Sequence, residues 1–400
     1  MKNGWQTKSL GELCSFENGD RGENYPSKSV QTHVGVPFIN AGHLSESGVD
    51  FSGMNYIPRE RFELLGNGKI QKDDILFCLR GSLGKFASVG DLNEGAIASS
   101  LVIIRPGIAL KDEFLLAYLQ SDLCAEMINA FKNGAAQPNL SAASLKKFEI
   151  PLPPPPEQQR IVGVLNEAFD GIAIAKANAE KNLQNARAIF ESHLQSVFTQ
   201  RGEGWVEKHL KEVCEKITDG THQTPKYFDE GTVFLSSRNV TSGVIDWDRI
   251  KYIDTKQHLE MHRRVAPRRD DILLAKNGTT GVAAIVDRDT TFDIYVSLAL
   301  LRALPVIRPR LLLQFINSPA AKIQFNKRLK GVGVPNLHLE EIREVRVAFP
   351  SDLGEQDRVI AGLDDLHTET QRLQTLYQQK LAALGALKKS LLHQAFSGSL

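Results

Sequence analysis

Cysteine is scarce, and Cys14, Cys78, Cys124 and Cys214 stand far apart with no paired spacing. That excludes a disulfide framework and a cysteine-based zinc site, and it suits a reducing compartment. No apolar run approaches the roughly 18 residues that a membrane span needs. Residues 1–6 hold no hydrophobic stretch of the kind a secretory signal carries. The cytoplasm is therefore the expected location. The ten histidines show no metal-ligand spacing, so no metal site is expected, and His222 and His262 read as turn or surface residues. Catalytic motifs are missing too. Gly81-Ser82-Leu83-Gly84-Lys85 lacks the spacing of a phosphate loop, and no Asn-Pro-Pro-Phe-like or Asp-Pro-Pro-Tyr-like segment of an amino-methyltransferase occurs. A net charge of +1 is low for a freestanding nucleic-acid binder.

What the 400 residues do contain is a repeat, and 400 residues is too long for one typical core. Gly4-Trp5 opens a segment ending Leu10-Gly11-Glu12-Leu13-Cys14, and Gly204-Trp205 opens Leu210-Lys211-Glu212-Val213-Cys214. Lys72-Asp73-Asp74-Ile75-Leu76 returns as Arg269-Asp270-Asp271-Ile272-Leu273, Ser100 to Arg105 as Ser297 to Arg302, and Pro138-Asn139-Leu140 as Pro335-Asn336-Leu337. The offset stays close to 197, so both halves are expected to share one fold. Short β-type runs alternate with Gly, Asn and Asp turns. One helix is expected over 112–131, and its counterpart over 310–329.

Each half ends in a long helical pattern. The first follows Pro151-Leu152-Pro153-Pro154-Pro155-Pro156 and Glu157-Gln158-Gln159-Arg160-Ile161, with a seam through Ile161, Leu165, Ile172, Leu183 and Phe190. The second follows Glu355-Gln356-Asp357-Arg358, with a seam through Leu363, Leu373, Leu384, Leu387 and Leu391, interrupted at Thr370. Steps of three and four mark a coiled coil, and each run is about 60 Å long at 1.5 Å per residue. Proline suits a helix start, where no partner for its nitrogen is needed. The expected class is α+β: two similar mixed α/β domains, residues 1–152 and 201–350, separated by long antiparallel helices, residues 153–200 and 351–400. A direct repeat joined by antiparallel helices is pseudo-twofold, so the end of the second helix should meet the start of the first domain.

Charge divides unevenly. Residues 1–150 carry 15 basic against 17 acidic side chains, and residues 202–350 carry 23 against 19. If the chain binds DNA, a partner should supply part of the phosphate contact. The candidate reading residues lie in loops at matching places: Arg21, Asn24, Tyr25, Arg80 and Ser82 in the first half, and His222, Thr224, Lys226, Tyr227, Lys276, Asn277 and Thr279 in the second. Arg, Lys, Asn, Thr and His read base edges, and glycine lets amides approach phosphates. The ordinary reading is solvated turns, but loops that diverge on a shared frame fit one scaffold serving two targets. Two other readings stay open. A helical hairpin could serve dimerisation or scaffolding without nucleic acid. A duplicated enzyme would need Asp73-Asp74 and Asp270-Asp271 as its titratable pair, although their place before a buried strand suits a turn.

Pro151 to Val162, its weaker copy Glu355 to Ile360, Gly19-Asp20-Arg21-Gly22-Glu23-Asn24-Tyr25-Pro26 and Asp219-Gly220-Thr221-His222-Gln223-Thr224-Pro225 together resemble the specificity subunit of type I restriction–modification systems. The resemblance covers the whole chain. The second copy lacks the proline run, which bears on its local rigidity. The resemblance implies that each target-recognition domain reads one half of a bipartite, asymmetric double-stranded DNA site. It implies that the helices set the spacing and dock two methyltransferase (M) subunits, with restriction (R) subunits in the full complex. It further implies that the chain is not itself an enzyme and holds no cofactor; S-adenosylmethionine, ATP and Mg belong to the partners. A recognition subunit of a fused restriction/methylation system would share the fold.

Overall fold

The computed structural model describes residues 4–45, 48–134, 138–240, 243–278, 280–329 and 336–400. It divides into two compact units, residues 1–179 with 379–400 and residues 180–378. Each unit thus takes one globular repeat together with part of each long helix, a different partition from helices standing as separate segments.

The first unit holds three sheets that recur in the second, besides the two-residue strands Leu44–Ser45 and Gly48–Val49 paired with each other. Gln6–Ser9 pairs with Glu149–Leu152, which brings the two ends of the globular repeat together. A four-stranded antiparallel sheet runs Cys14–Asn18, Leu101–Pro106, Ile75–Cys78, Phe86–Ser88. A three-stranded sheet runs Asn55–Ile57, Val36–Ile39, Ala96–Ile97. The second unit repeats all three in the same order. Trp205–His209 pairs with Arg346–Pro350. Cys214–Asp219, Leu298–Ala303, Ile272–Ala275 and Ala283–Ile285 form the larger sheet. Lys251–Ile253, Thr232–Leu235 and Phe292–Ile294 form the smaller one. The central strands are apolar on both faces because both are covered, as the fully buried Ile75–Cys78 and Ile272–Ala275 show.

One bidentate ion pair recurs in each larger sheet. Arg105 grips Asp74 at 2.7 and 2.9 Å, and Arg302 grips Asp271 at 2.8 and 2.7 Å. The preceding Asp73 and Asp270 have φ of 65° and 68°, a left-handed turn conformation that Asp tolerates. These aspartates are therefore turns and buried ion-pair partners, in keeping with the turn reading. Burial pushes the Cys14, Cys124 and Cys214 thiols up to about 12, which makes them packing residues rather than nucleophiles.

The helix expected over 112–131 is two helices, Asp112–Gln120 and Asp122–Phe131, and its counterpart is Pro309–Asn317 and Pro319–Asn326. Serine makes the break. Ser121 and Ser318 take extended backbone, and each hydroxyl accepts the N–H three residues on, from Cys124 or Ala321. A serine cap outweighs continued apolar periodicity at these points.

The long helices are Pro155–Thr199 and Leu353–Ser397, 45 residues each. Within each unit they run antiparallel. In the first, Ile161 and Leu165 join one core cluster with Leu391, Leu392, Ala395 and Phe396, and Lys388 lies over the Phe169 ring. In the second, Phe190 meets His367 at 4.8 Å and Leu194 shares a cluster with Leu363. Of the expected seam residues, Ile161, Leu165 and Leu363 are buried, whereas Ile172, Leu183, Phe190, Leu373, Leu384 and Leu391 are half-buried. Leu387 is exposed, so Lys388 takes that step of the seam. Thr370 belongs to the seam after all. It is buried, and its hydroxyl donates to the carbonyls of Leu366 and His367 at 2.9 and 3.0 Å.

Phe396 packs on Phe114 at 5.1 Å and Tyr118 at 5.8 Å, and Phe198 packs on Phe315 at 5.4 Å. The end of the second helix therefore does meet the first domain, in the cluster that also holds Trp5. Among the described residues, no helix is long and apolar enough to cross a membrane.

At each helix start sits a fully buried glutamine. Gln158 accepts the Lys111 N–H and donates to the carbonyls of Ala109 and Pro153, all at 2.9 Å. Gln356 accepts the Arg308 N–H at 2.7 Å and donates to Val306 and Pro350 at 2.9 Å. The second helix lacks the proline run but gains Asp352, which accepts the Glu355 N–H at 2.8 Å and so caps the helix by another route. Gln158→Ala would strand one donor and two acceptors and should cost about 3 kcal/mol or more. Gln158→Glu keeps the shape yet loses one or both donors, and should cost at least as much. Urea unfolding measures both, and a wild-type midpoint for Gln158→Glu would contradict this role.

Candidate nucleic-acid interface

In the second domain the turn after Cys214–Asp219 passes close to the smaller sheet. A Cβ at Gly220 would lie 1.9 Å from the Ile294 carbonyl oxygen, so only glycine fits. Gly19 occupies the same place in the first domain, 2.5 Å from the Ala98 carbonyl oxygen by the same measure. Each loop is thereby pinned at its root, and its outer residues are free to differ.

The outer part of the second loop is clamped by Gln257. Its side chain accepts the Lys226 N–H at 2.8 Å and donates to the Lys226 carbonyl at 3.1 Å. The clamp presents Tyr227, 43% exposed, beside Phe234 and beneath Lys251, whose ammonium stands 3.9 Å from the Tyr227 ring centroid. Burial, then the neighbouring Tyr295, pushes the Tyr227 hydroxyl up from its ordinary range, so it stays protonated and able to donate. Tyr227, Lys251, Arg249, Arg238, Asn239 and Tyr295 line a recess of about 330 Å³. Cations and aromatic faces around one polar recess are what a nucleic-acid surface needs.

A second recess lies at the root of the loop. His222 reaches Asp219 at 3.4 Å, and Asp219 also pairs with Arg264 at 2.7 Å and Lys276 at 3.2 Å. Lys276 is only 5% exposed, so it neutralises Asp219 instead of reaching outward. Asn277 bridges to Asn336, and the side-chain oxygens of both are buried with no hydrogen-bond partner among the described residues. Sheet register equates Asn18 with Asp219, and the matching bonds to Ser100 and Ser297 equate Leu79 with Lys276. The first domain thus carries a neutral pair where the second carries ions.

The first domain holds its loop differently. Asp20 accepts the N–H groups of Gly22 at 2.6 Å and Gly66 at 2.8 Å, and these bonds, Gly22 foremost, keep its carboxyl below the usual range. Arg21 is exposed, with one 3.3 Å bond to the Ser99 carbonyl. Asn24 donates to the Leu64 carbonyl and accepts from Arg61, and Tyr25 packs edge-on against Phe38. Asn24 and Tyr25 are thus tied into the domain, while Arg21, Arg80 and Ser82 face solvent. In the second domain His222, Thr224, Lys226 and Tyr227 are exposed and gathered on one loop, whereas Asn277 lies beside the recess at the loop's root. Thr279 lies outside the described residues.

Sequence reasoning missed Lys251, Arg249 and Gln257, which only strand pairing and the Gln257 clamp bring to the loop. It also missed one pair of histidines, while His222 is the exposed loop residue expected. His258 and His262 stand four residues apart on the helix Thr255–Arg264, one helical face, and both touch Asp293. That spacing was visible once the helix was recognised.

The family model described as type I restriction modification DNA specificity domain matches residues 2–185 and again residues 202–381. The chain belongs to that family. Among specificity subunits, the chain is 20% identical over 386 residues to the type I restriction enzyme EcoKI specificity subunit of Escherichia coli (strain K12), covering 91% of this chain and 82% of that one. It is 23% identical over 301 residues to the EcoBI specificity subunit of Escherichia coli, covering 68% and 63%. A chain from a structure titled for complex assembly and conformational transition of the type I R-M system aligns with TM-score 0.82 at 20% identity, covering 100% and 99%. The HsdS subunit from Thermoanaerobacter tengcongensis aligns with TM-score 0.65 at 19% identity, covering 100% and 98%. These likenesses show the shared fold.

In the second specificity domain, Asp219→Ala leaves Lys276 buried without its partner and should cost about 3 kcal/mol. Asp219→Asn with Lys276→Leu copies the first domain and should recover most of that loss. Thermal unfolding of the three proteins checks this, and equal losses in the single and double variants would contradict the pairing.

Proposed function

We infer that this chain is the DNA-specificity subunit of a type I restriction–modification complex, each domain reading one half of a bipartite site in double-stranded DNA. The carrying observation is that the two domains share strand order, buried ion pair and glycine-pinned loop root, yet differ in the side chains their loops present. Family membership supports the role. In the second domain Tyr227, Lys251, Arg249 and Lys226 are the contacting groups, with His222 and Thr224 beside them. In the first, Arg21, Arg80 and Ser82 face the DNA, while Asn24 and Tyr25 position the loop. Basic side chains on phosphates supply affinity, and planar or hydrogen-bonding groups on base edges supply selection.

Methylation and cleavage are proposed to reside in partners. Two methyltransferase subunits would dock on the outer faces of the long helices and carry S-adenosylmethionine; restriction subunits would bring ATP and Mg. This chain would act in the cytoplasm and contribute recognition and spacing without catalysis. The near-zero net charge fits shared phosphate contact with those partners.

The test is selection from randomised DNA by the chain with its methyltransferase partner. Tyr227→Ala and Lys251→Ala should each relax the second half-sequence at one or two base pairs, by roughly 10- to 100-fold, and leave the first unchanged. Unaltered selection in both variants would remove this loop from the interface.

A further inference from the structure

The smaller sheets of the two domains match strand for strand, but one buried position differs in kind. Phe38 pairs with Ala96 in the first domain, and Phe234 pairs with Asp293 in the second. Ala96 and Asp293 are both inaccessible, at 0% and 1% exposure. The fold is therefore satisfied by a methyl group there, and the carboxylate needs another explanation.

Buried carboxylates elsewhere in this domain have strong cations. Asp219 has Lys276 and Arg264, and Asp271 has Arg302. Asp293 has no lysine or arginine partner among the described residues. Its two oxygens face two imidazoles instead, His258 Nδ1 at 2.7 Å and His262 Nδ1 at 3.1 Å. A buried carboxylate is costly without a compensating positive charge, and an imidazole gives it a hydrogen bond but a charge only when protonated. A divalent cation would give both.

The geometry suits one. Potential ligand atoms of His258, His262 and Asp293 lie within 4.8 Å of one another. Two histidines four apart on one helix converge on a single point. Their rings are 4.7 Å apart, and the two side chains are 17% and 31% exposed, which leaves an approach from solvent. Two imidazole nitrogens and one carboxylate form a donor set for zinc and related divalent metals, with room for water as a fourth ligand.

We propose that His258, His262 and Asp293 form a divalent metal site of the zinc class, cross-linking the helix Thr255–Arg264 to the strand Phe292–Ile294. The same helix carries Gln257, which clamps the Lys226 backbone, and Arg264, which binds Asp219. Occupancy would thus stiffen the element on which the 221–228 loop rests. The site itself does not depend on what that loop touches.

The experiment uses the full chain, without a histidine tag, stripped with chelator and titrated with Zn²⁺, Co²⁺ and, as a control, Mg²⁺. Zinc should bind at about one per chain with micromolar or tighter affinity and raise Tm by several degrees, cobalt should give visible d–d absorption, and magnesium should do neither. His258→Gln and His262→Gln, at partly exposed helix positions, should fold and weaken zinc binding at least about tenfold. Asp293→Ala, which restores the first domain's residue, should fold and lose the site. No zinc uptake by the wild-type chain, or equal uptake by the histidine variants, overturns the proposal. DNA selection is not part of the readout, so this result and the recognition reading stand or fall separately.

Discussion

A long helix cannot orient anything unless its first turn is fixed to the body it leaves. Here that constraint is met by one buried carboxamide per repeat. Gln158 and Gln356 each bind one N–H and two carbonyls, one of the carbonyls from the strand end just before the helix and the remaining groups from the connection that follows the central strand. Three hydrogen bonds in a dry setting are directional in a way apolar packing is not. Glutamate at the same place could not serve, because it offers at most one donor where two carbonyls must be satisfied. The Gln at this position of both motif copies is thus a joint, whereas its neighbours Glu157 with Arg160 and Glu355 with Arg358 form surface ion pairs of small energetic weight.

With strands, joint and helices held in common, the domains are free to differ where the fold is indifferent. Asn18 and Leu79 against Asp219 and Lys276, and Ala96 against Asp293, are exchanges on one backbone. Each exchange of a neutral for a charged group had to be matched locally, because a lone buried charge costs several kcal/mol. The matching recruits the helix Thr255–Arg264, whose first-domain counterpart Arg59–Glu63 is half as long. These exchanges gather around one loop and one helix, where a recognition surface can change without disturbing the shared strand order.

The architecture was legible because its signals are local. Tryptophan openers, the Asp-Asp turns and the apolar periods of the helices are each contained in a few neighbouring residues. Ser121 and Ser318 were overlooked because a cap inside an apolar period is a single-residue event. Lys276 looked available because its burial depends on Asp219, 57 positions away in sequence. Lys251 and Gln257 were invisible for the same reason: they reach the loop only through sheet pairing and a backbone clamp. His258 and His262 differ, since their spacing is local, and only the assignment of a helix there was wanting.

The central claim is that two similar domains read two half-sequences and that paired helices set the distance between them. The direct measurement is the map of methylated adenines in a host carrying this chain with its methyltransferase partner, compared with the same chain bearing a seven-residue insertion in both long helices. One heptad preserves the seam and adds about 10 Å to each helix, about three base pairs of B-DNA. The account predicts the same two half-sequences with a longer gap between them. An unchanged gap, or a single uninterrupted target, would contradict it.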